Sequence, residues 1–292
     1  MKKFKLGEFE RNSAIVFAVS MLANVVTYLY QIVMGNLLSP ADYGTINTLL
    51  SLSIVIDVPS GIISTLVATY TAKYQAVGKP ELIGGFMHKM LRASVLLACV
   101  VFAAGAALSS IIANVLQIEE TRYILAMVVV AFSCVAPVFS CTLQGVKRFV
   151  PYSINGVLNI AIRLLLSIPF VRMGFGIGGN LAAVILAAFA TAAFCFWCAR
   201  DLFFAPKIEQ LHLDRTEIRR YFVSTFWFQL FLLLMANGDV LLIKTFAADP
   251  AEVGIYSSGS VIGKISLYLA NAIVPVLLPM VAERQSTGHD TR

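Results

Sequence analysis

Pro40-Ala41-Asp42-Tyr43-Gly44 stands between two long apolar runs, and Pro250-Ala251-Glu252-Val253-Gly254 stands between two more. Each stretch is a Pro, an Ala, an acid, one variable residue and a Gly. Pro presets φ and Gly tolerates a positive φ, so both stretches are expected to turn the chain sharply between helices. They begin about 210 residues apart, too far for a solenoid repeat and suited to a duplicated helical bundle.

Composition decides what kind of bundle. Hydrophobic residues make up 59% of the chain and charged residues 13%, with a mean hydropathy of +0.82. A water-soluble domain carries roughly 25% charge, so this chain is built for lipid. Its net charge of +6 then points to loops facing anionic lipid and not to nucleic acid. Residues 1–11 mix Lys2, Lys3 and Lys5 with Glu8 and Glu10. The apolar run after them is longer than a signal-peptide core, so a first membrane helix is expected there, not a cleaved leader. Cys99, Cys134, Cys141, Cys195 and Cys198 all fall in apolar runs. Cys195-Phe196-Trp197-Cys198 has C-x-x-C spacing without a βαβ context or a neighbouring His, which reads as buried apolar filler.

Eight segments reach the roughly 20 residues that a helix needs to cross the hydrocarbon core. They are residues 13–38, 45–71, 90–115, 123–143, 154–171, 177–199, 221–246 and 254–281. Period-two alternation is absent, which argues against a barrel. With the N-terminus in the cytoplasm, seventeen Lys and Arg fall in inner loops, against Arg122, Arg172 and Lys244 outside. That asymmetry sets the expected orientation. The expected fold is an all-α polytopic membrane protein: a six-helix lobe over residues 1–199, a linker over 200–220, and the first two helices of a second lobe over 221–292. Within the linker, Ile208, Leu211, Leu213 and Ile218 among basic residues suit either a surface-lying amphipathic segment or a solvated connection. By the repeat, about four more helices are expected after Arg292. The polar run Glu283-Arg284-Gln285-Ser286-Thr287-Gly288-His289-Asp290 matches in place the loop 73–79 of the first copy.

Charges inside spans are expensive and normally face a cavity or a partner. Arg163 in the fifth span and Lys264 in the eighth read as a cationic lining that holds phosphate, or as structural pairs. Asp57, followed by Pro59 and Gly61, and Asp239 within Asn237-Gly238-Asp239 suit H⁺ or Na⁺ coupling, or neutralisation of Arg163 and Lys264. Lys244 and Arg172 sit near helix ends and are expected to snorkel. Tyr28, Tyr30, Phe226, Trp227, Phe228 and Phe231 suit a substrate path or a lipid-facing belt. Gly174-Phe175-Gly176-Ile177-Gly178-Gly179 satisfies G-x-G-x-x-G, but with membrane helices on both sides it reads as a tight turn with close helix packing. His88, His212 and His289 are scattered, and no nucleophilic triad, metal cluster or Walker loop is seen. No cofactor or catalysis is expected.

Gly35-Asn36-Leu37-Leu38-Ser39-Pro40-Ala41-Asp42-Tyr43-Gly44 resembles the end of the first helix in polysaccharide flippases of the multidrug/oligosaccharidyl-lipid/polysaccharide exporter superfamily. Leu143-Gln144-Gly145-Val146-Lys147-Arg148-Phe149 resembles that family's loop after the fourth helix, and Glu252-Val253-Gly254-Ile255-Tyr256 the opening of its eighth. The resemblance spans essentially the whole chain. It implies a two-lobe transporter in the cytoplasmic membrane that flips undecaprenyl-diphosphate-linked oligosaccharide by alternating access, with a central cationic cavity in the region of Arg163. Its partners would be that lipid-linked substrate, membrane lipids and a coupling H⁺ or Na⁺. Many relatives carry an Arg where this chain has Asn36, and a basic residue where it has Val240. The alternatives are drug/cation antiport on the same scaffold, or a membrane glycosyltransferase or polysaccharide polymerase.

Overall fold

A computed structural model describes residues 6–76, 78, 81–204 and 215–264. These form eleven α-helices and no strand. In order they are α1 (Leu6–Leu37), α2 (Pro40–Ile56), α3 (Val58–Ala76), α4 (Glu81–Ala107), α5 (Ser109–Val115) and α6 (Glu120–Val135). Then come α7 (Pro137–Gly145), α8 (Phe149–Phe170), α9 (Gly176–Phe203), α10 (Arg215–Phe246) and α11 (Pro250–Gly263).

Five runs of helix are long and apolar enough to cross a membrane, or six if α2 and α3, bent by 51°, make one span. One of the five, Phe149–Phe203, is 55 residues long, more than twice the roughly 20 that a crossing takes. It folds back through a π-helical turn, Val171–Phe175, where Gly174 has φ 91°, and α8 then packs along α9. The G-x-G-x-x-G stretch is therefore a helix-to-helix turn. Gly176 also takes a positive φ, and a Cβ on Gly179 would lie 2.8 Å from that of Phe175. Of the expected eighth span, α11 holds the opening; residues 265–281 lie outside the described ones, as does the linker at 205–214.

The bundle is apolar outside as well as inside. Leu96, Leu165, Phe189 and Met235 are all exposed, as lipid-facing residues should be. Trp227, Phe228 and Phe231 are exposed on α10, a placement that suits either of the two roles expected of them. Tyr30 is different: it is 1% exposed and sits in the core with Met34, Tyr43, Ile46 and Leu181.

α2 is the central post, packing against α11, α10, α6 and α9. It is buried nearly all round although it carries Thr45, Asn47, Thr48 and Ser53. Each of these side chains donates to the carbonyl four residues back, on Ala41, Tyr43, Gly44 and Leu49, at 2.8–3.0 Å. Without water or lipid donors, that local bond is how a buried membrane helix satisfies a hydroxyl or amide.

The two Pro-Ala-acid-x-Gly stretches prove to be helix starts, and they meet. Ser39 caps α2: its Oγ accepts from the Asp42 N–H at 3.1 Å and donates to the Asp42 carboxylate at 2.9 Å. Asp249 caps α11, its Oδ1 accepting from the Ala251 N–H at 2.9 Å. Pro occupies the first turn of each helix, where its missing N–H costs nothing. The expected role of the glycines is corrected. Gly44 and Gly254 are helical and neither takes a positive φ. They are needed for contact instead: a Cβ on Gly44 would lie 2.7 Å from the Gly254 nitrogen, and one on Gly254 would lie 2.6 Å from the Pro40 carbonyl carbon. Small residues let membrane helices approach to backbone contact, and here the two copies of one sequence stretch supply both sides.

Candidate functional site

α8 presents a polar stripe. Tyr152, Asn155, Asn159, Arg163 and Ser167 recur every three or four residues, which places them along one side of the helix. Arg163 is the only one ionised. Its Nη2 donates to the Tyr30 hydroxyl at 2.8 Å, and its guanidinium lies 4.1 Å from the centre of the Tyr30 ring. One tyrosine of α1 thus holds the cation through both its face and its oxygen. Such a cation–π contact contributes about 0.5–2 kcal/mol.

The same hydroxyl is anchored from α9. Asn180 is fully buried, donates from Nδ2 to Tyr30 Oη at 2.7 Å, and also reaches Ser167 Oγ at 3.3 Å. Three helices therefore converge on one polar cluster whose only charge is Arg163. No carboxylate lies within ion-pair distance of Arg163 among the described residues, and its Nε is buried without a partner. Neither acid singled out from the sequence neutralises it.

Asp57 sits at the break between α2 and α3. Its Oδ1 accepts from Ser133 Oγ of α6 at 2.7 Å, and its carbonyl accepts from the Ser60 and Gly61 N–H groups at 3.0 and 3.3 Å. The helix is thus bent by 51° at Asp57, next to Pro59 and Gly61, with the Asp57 carbonyl hydrogen-bonded. Asp239 and Lys264 form a third cluster on α10 and α11. Asp239 Oδ2 accepts from Tyr256 Oη at 2.9 Å and from Ser260 Oγ at 3.3 Å, while its Oδ1 is buried and unpartnered. Lys264 donates to Asn237 Oδ1 at 3.2 Å. The two charges are neighbours without an ion pair.

The four residues expected to carry function therefore fall at three places, and only Asp239 and Lys264 are brought together. Lys244 corrects its expectation. It is 4% exposed, on the face of α10 that also buries Asn237 and Val240, so it does not snorkel; Arg172 is exposed in the turn. Sequence reading also missed Asn180 and Ser167. The signal available was spacing: Ser167 continues the α8 stripe, and Asn180 is a lone amide opening an otherwise apolar helix.

Two cavities flank the first helix. One, of about 270 Å³, lies between α1, α2 and α11 and is lined by Tyr28, Gln31, Asn36, Tyr43 and Ser258 among others. The other, of about 400 Å³, opens between α1 and α3 over α7 and α8. Of the C-x-x-C pair, Cys195 is buried in the apolar cluster with Ile83 and Leu143, and Cys198 packs half-buried against that cluster. No cluster of metal-ligating side chains occurs among the described residues.

The fold has known counterparts. An inward-facing multidrug-resistance MATE-family transporter of the MOP superfamily matches with a TM-score of 0.60 at 16% identity, over 89% of this chain and 59% of that one. An outward-facing structure of such a transporter matches with 0.62 at 18%, over 91% and 61%. A MOP-superfamily transporter from Pyrococcus furiosus matches with 0.59 at 16%, over 91% and 61%. The chain spans about three fifths of the length of these structures. Among curated protein sequences none matches it. The family described as polysaccharide biosynthesis protein matches residues 9–285. An all-helical, multi-span bundle with the MATE-like transporter fold, matched over nearly its whole length, is thus a membrane protein that belongs to the polysaccharide biosynthesis protein family.

Proposed function

We propose that the protein moves an undecaprenyl-diphosphate-linked oligosaccharide between the leaflets of the cytoplasmic membrane by alternating access, with both turns at Pro40 and Pro250 outward and the N-terminus in the cytoplasm. Residues 1–199 act as one lobe, and α10 and α11 open the second. The observation that carries this reading is Arg163: a cation within a membrane bundle, half-buried, held by a neutral tyrosine and facing no carboxylate among the described residues. An unpaired charge at such depth is costly, and a diphosphate would complete it through charge-assisted, bidentate bonds. Lys264, which lies apart from Arg163 beside Asn237, is assigned as a second cation along the path of the same headgroup. Asp239, with one buried oxygen unpartnered, is assigned to the coupling H⁺ or Na⁺, and Asp57 to a second such role. Drug/cation antiport on the same scaffold is the alternative; it would use the same acids but would leave the Arg163 guanidinium without an anion to hold.

The test is transport of an undecaprenyl-diphosphate-linked sugar by the purified protein in liposomes. Loss of charged hydrogen bonds worth about 1.5–3 kcal/mol corresponds to roughly a ten- to hundredfold loss for Arg163→Ala. Arg163→Lys should recover part of it, keeping the charge without the fork. Undiminished transport by Arg163→Ala would overturn the assignment.

A further inference from the structure

The cavity of about 400 Å³ lies on the α8 stripe, nearer the start of that helix than Arg163. Its walls carry Ser20 from α1, Ser64 from α3, Ser140 from α7, and Tyr152, Ser153 and Asn155 from α8. Val19, Ala23, Pro137 and Cys141 fill the spaces between them, and no Asp, Glu, His, Lys or Arg lines it among the described residues. Its size is that of a small-molecule site, roughly 300–1,000 Å³. Ser153 is only 9% exposed, and its Oγ is buried without a hydrogen-bond partner. Turned toward the cavity, that hydroxyl would find in a ligand hydroxyl the partner the bundle does not supply.

Hydroxyls and an amide interleaved with small apolar groups match one chemistry. A pyranose ring offers hydroxyls around its edge and C–H groups on its faces, and it carries no charge. From Gly156, on the cavity wall, to Arg163 is seven residues, about 10 Å along the helix at 1.5 Å per residue. The arm of Arg163 and a diphosphate can bridge that separation. We propose that this cavity is a saccharide site, which takes the sugar joined to the diphosphate while Arg163 takes the diphosphate itself. This rests on the reading of Arg163 given above. It adds that the protein recognises the carbohydrate end of its substrate within the membrane, in the half of the bundle opposite the Pro40 and Pro250 turns.

Binding of two probes to the purified full chain separates the claims: undecaprenyl diphosphate, and the same lipid carrying N-acetylglucosamine. The wild type should bind the glycosylated probe at least fivefold more tightly. Gly156→Leu fills the cavity from a position where an added Cβ meets nothing within 4 Å, so the fold is kept. It should erase the difference and leave the bare lipid bound as before. Ser153→Ala should weaken the glycosylated probe alone, whereas a merely structural orphan hydroxyl would give higher thermal stability and unchanged binding. Arg163→Ala should weaken both probes. If the bare lipid binds through Arg163 and the sugar adds nothing, or if Gly156→Leu keeps the sugar's contribution, the saccharide site is wrong and the diphosphate reading stands. If the wild type binds neither lipid, both fail.

Discussion

Gly254→Ala is the substitution whose consequence follows most directly from geometry. The new Cβ would lie 2.6 Å from the Pro40 carbonyl carbon and closer still to its oxygen. Ordinary carbon–carbon contact is about 3.5–4.0 Å, so α11 must withdraw from α2 by roughly 1 Å. Neither side can yield by rotating a side chain, because Pro40 presents backbone and Val253 and Ser257 share the buried face of α11. Overpacking of this kind costs about 1–3 kcal/mol, and 2 kcal/mol is roughly a thirtyfold shift between the packed and parted arrangements. Ser257 reports the change, since it is 1% exposed on that face. With the five native cysteines replaced, maleimide labelling of Ser257→Cys in the purified protein should be slow, and about tenfold faster or more once Gly254→Ala is added. Gly44→Ala should act in the same direction, its Cβ meeting the Gly254 nitrogen at 2.7 Å. Gly259→Ala, on the same helix with nothing within 4 Å of its Cβ, is the control and should leave the rate unchanged. Equal labelling with and without Gly254→Ala would refute the role given to the paired glycines.

Three further outcomes are expected. Tyr30→Phe keeps the ring under Arg163 but removes the oxygen shared with Asn180; hydrogen bonds of this kind in membranes are worth about 0.6–1.7 kcal/mol, so the melting temperature should fall by a few degrees while Arg163-dependent lipid binding weakens. An unchanged melting curve would mean that the hydroxyl is not a structural link. Lys244→Met removes a buried ammonium that has no acid within ion-pair distance among the described residues and should raise the melting temperature; a fall would reveal a stabilising partner. Asp239→Asn should leave downhill lipid movement measurable in liposomes but abolish its response to an imposed H⁺ or Na⁺ gradient. If the response persists, Asp239 is not the coupling acid.

Much of the architecture was legible in the chain itself, because lipid imposes a simple rule. A run of about 20 apolar residues must close its own backbone hydrogen bonds and so must be a helix. The membrane class, the helical content, the turn at Gly174 and the membership suggested by the stretch around Pro40 followed from local sequence. What local sequence leaves open is which side chains meet across helices, since that depends on rotation and on the approach of segments far apart in the chain. Only the tertiary structure decided that Arg163 pairs with Tyr30, 133 residues away, and not with Asp57 or Asp239. It also buried Lys244 against the bundle. The two repeated glycines show the division most clearly. The sequence marked them as equivalent and suggested turns, whereas the fold uses both inside helices, where the absence of a side chain on each lets α2 and α11 touch backbone to backbone.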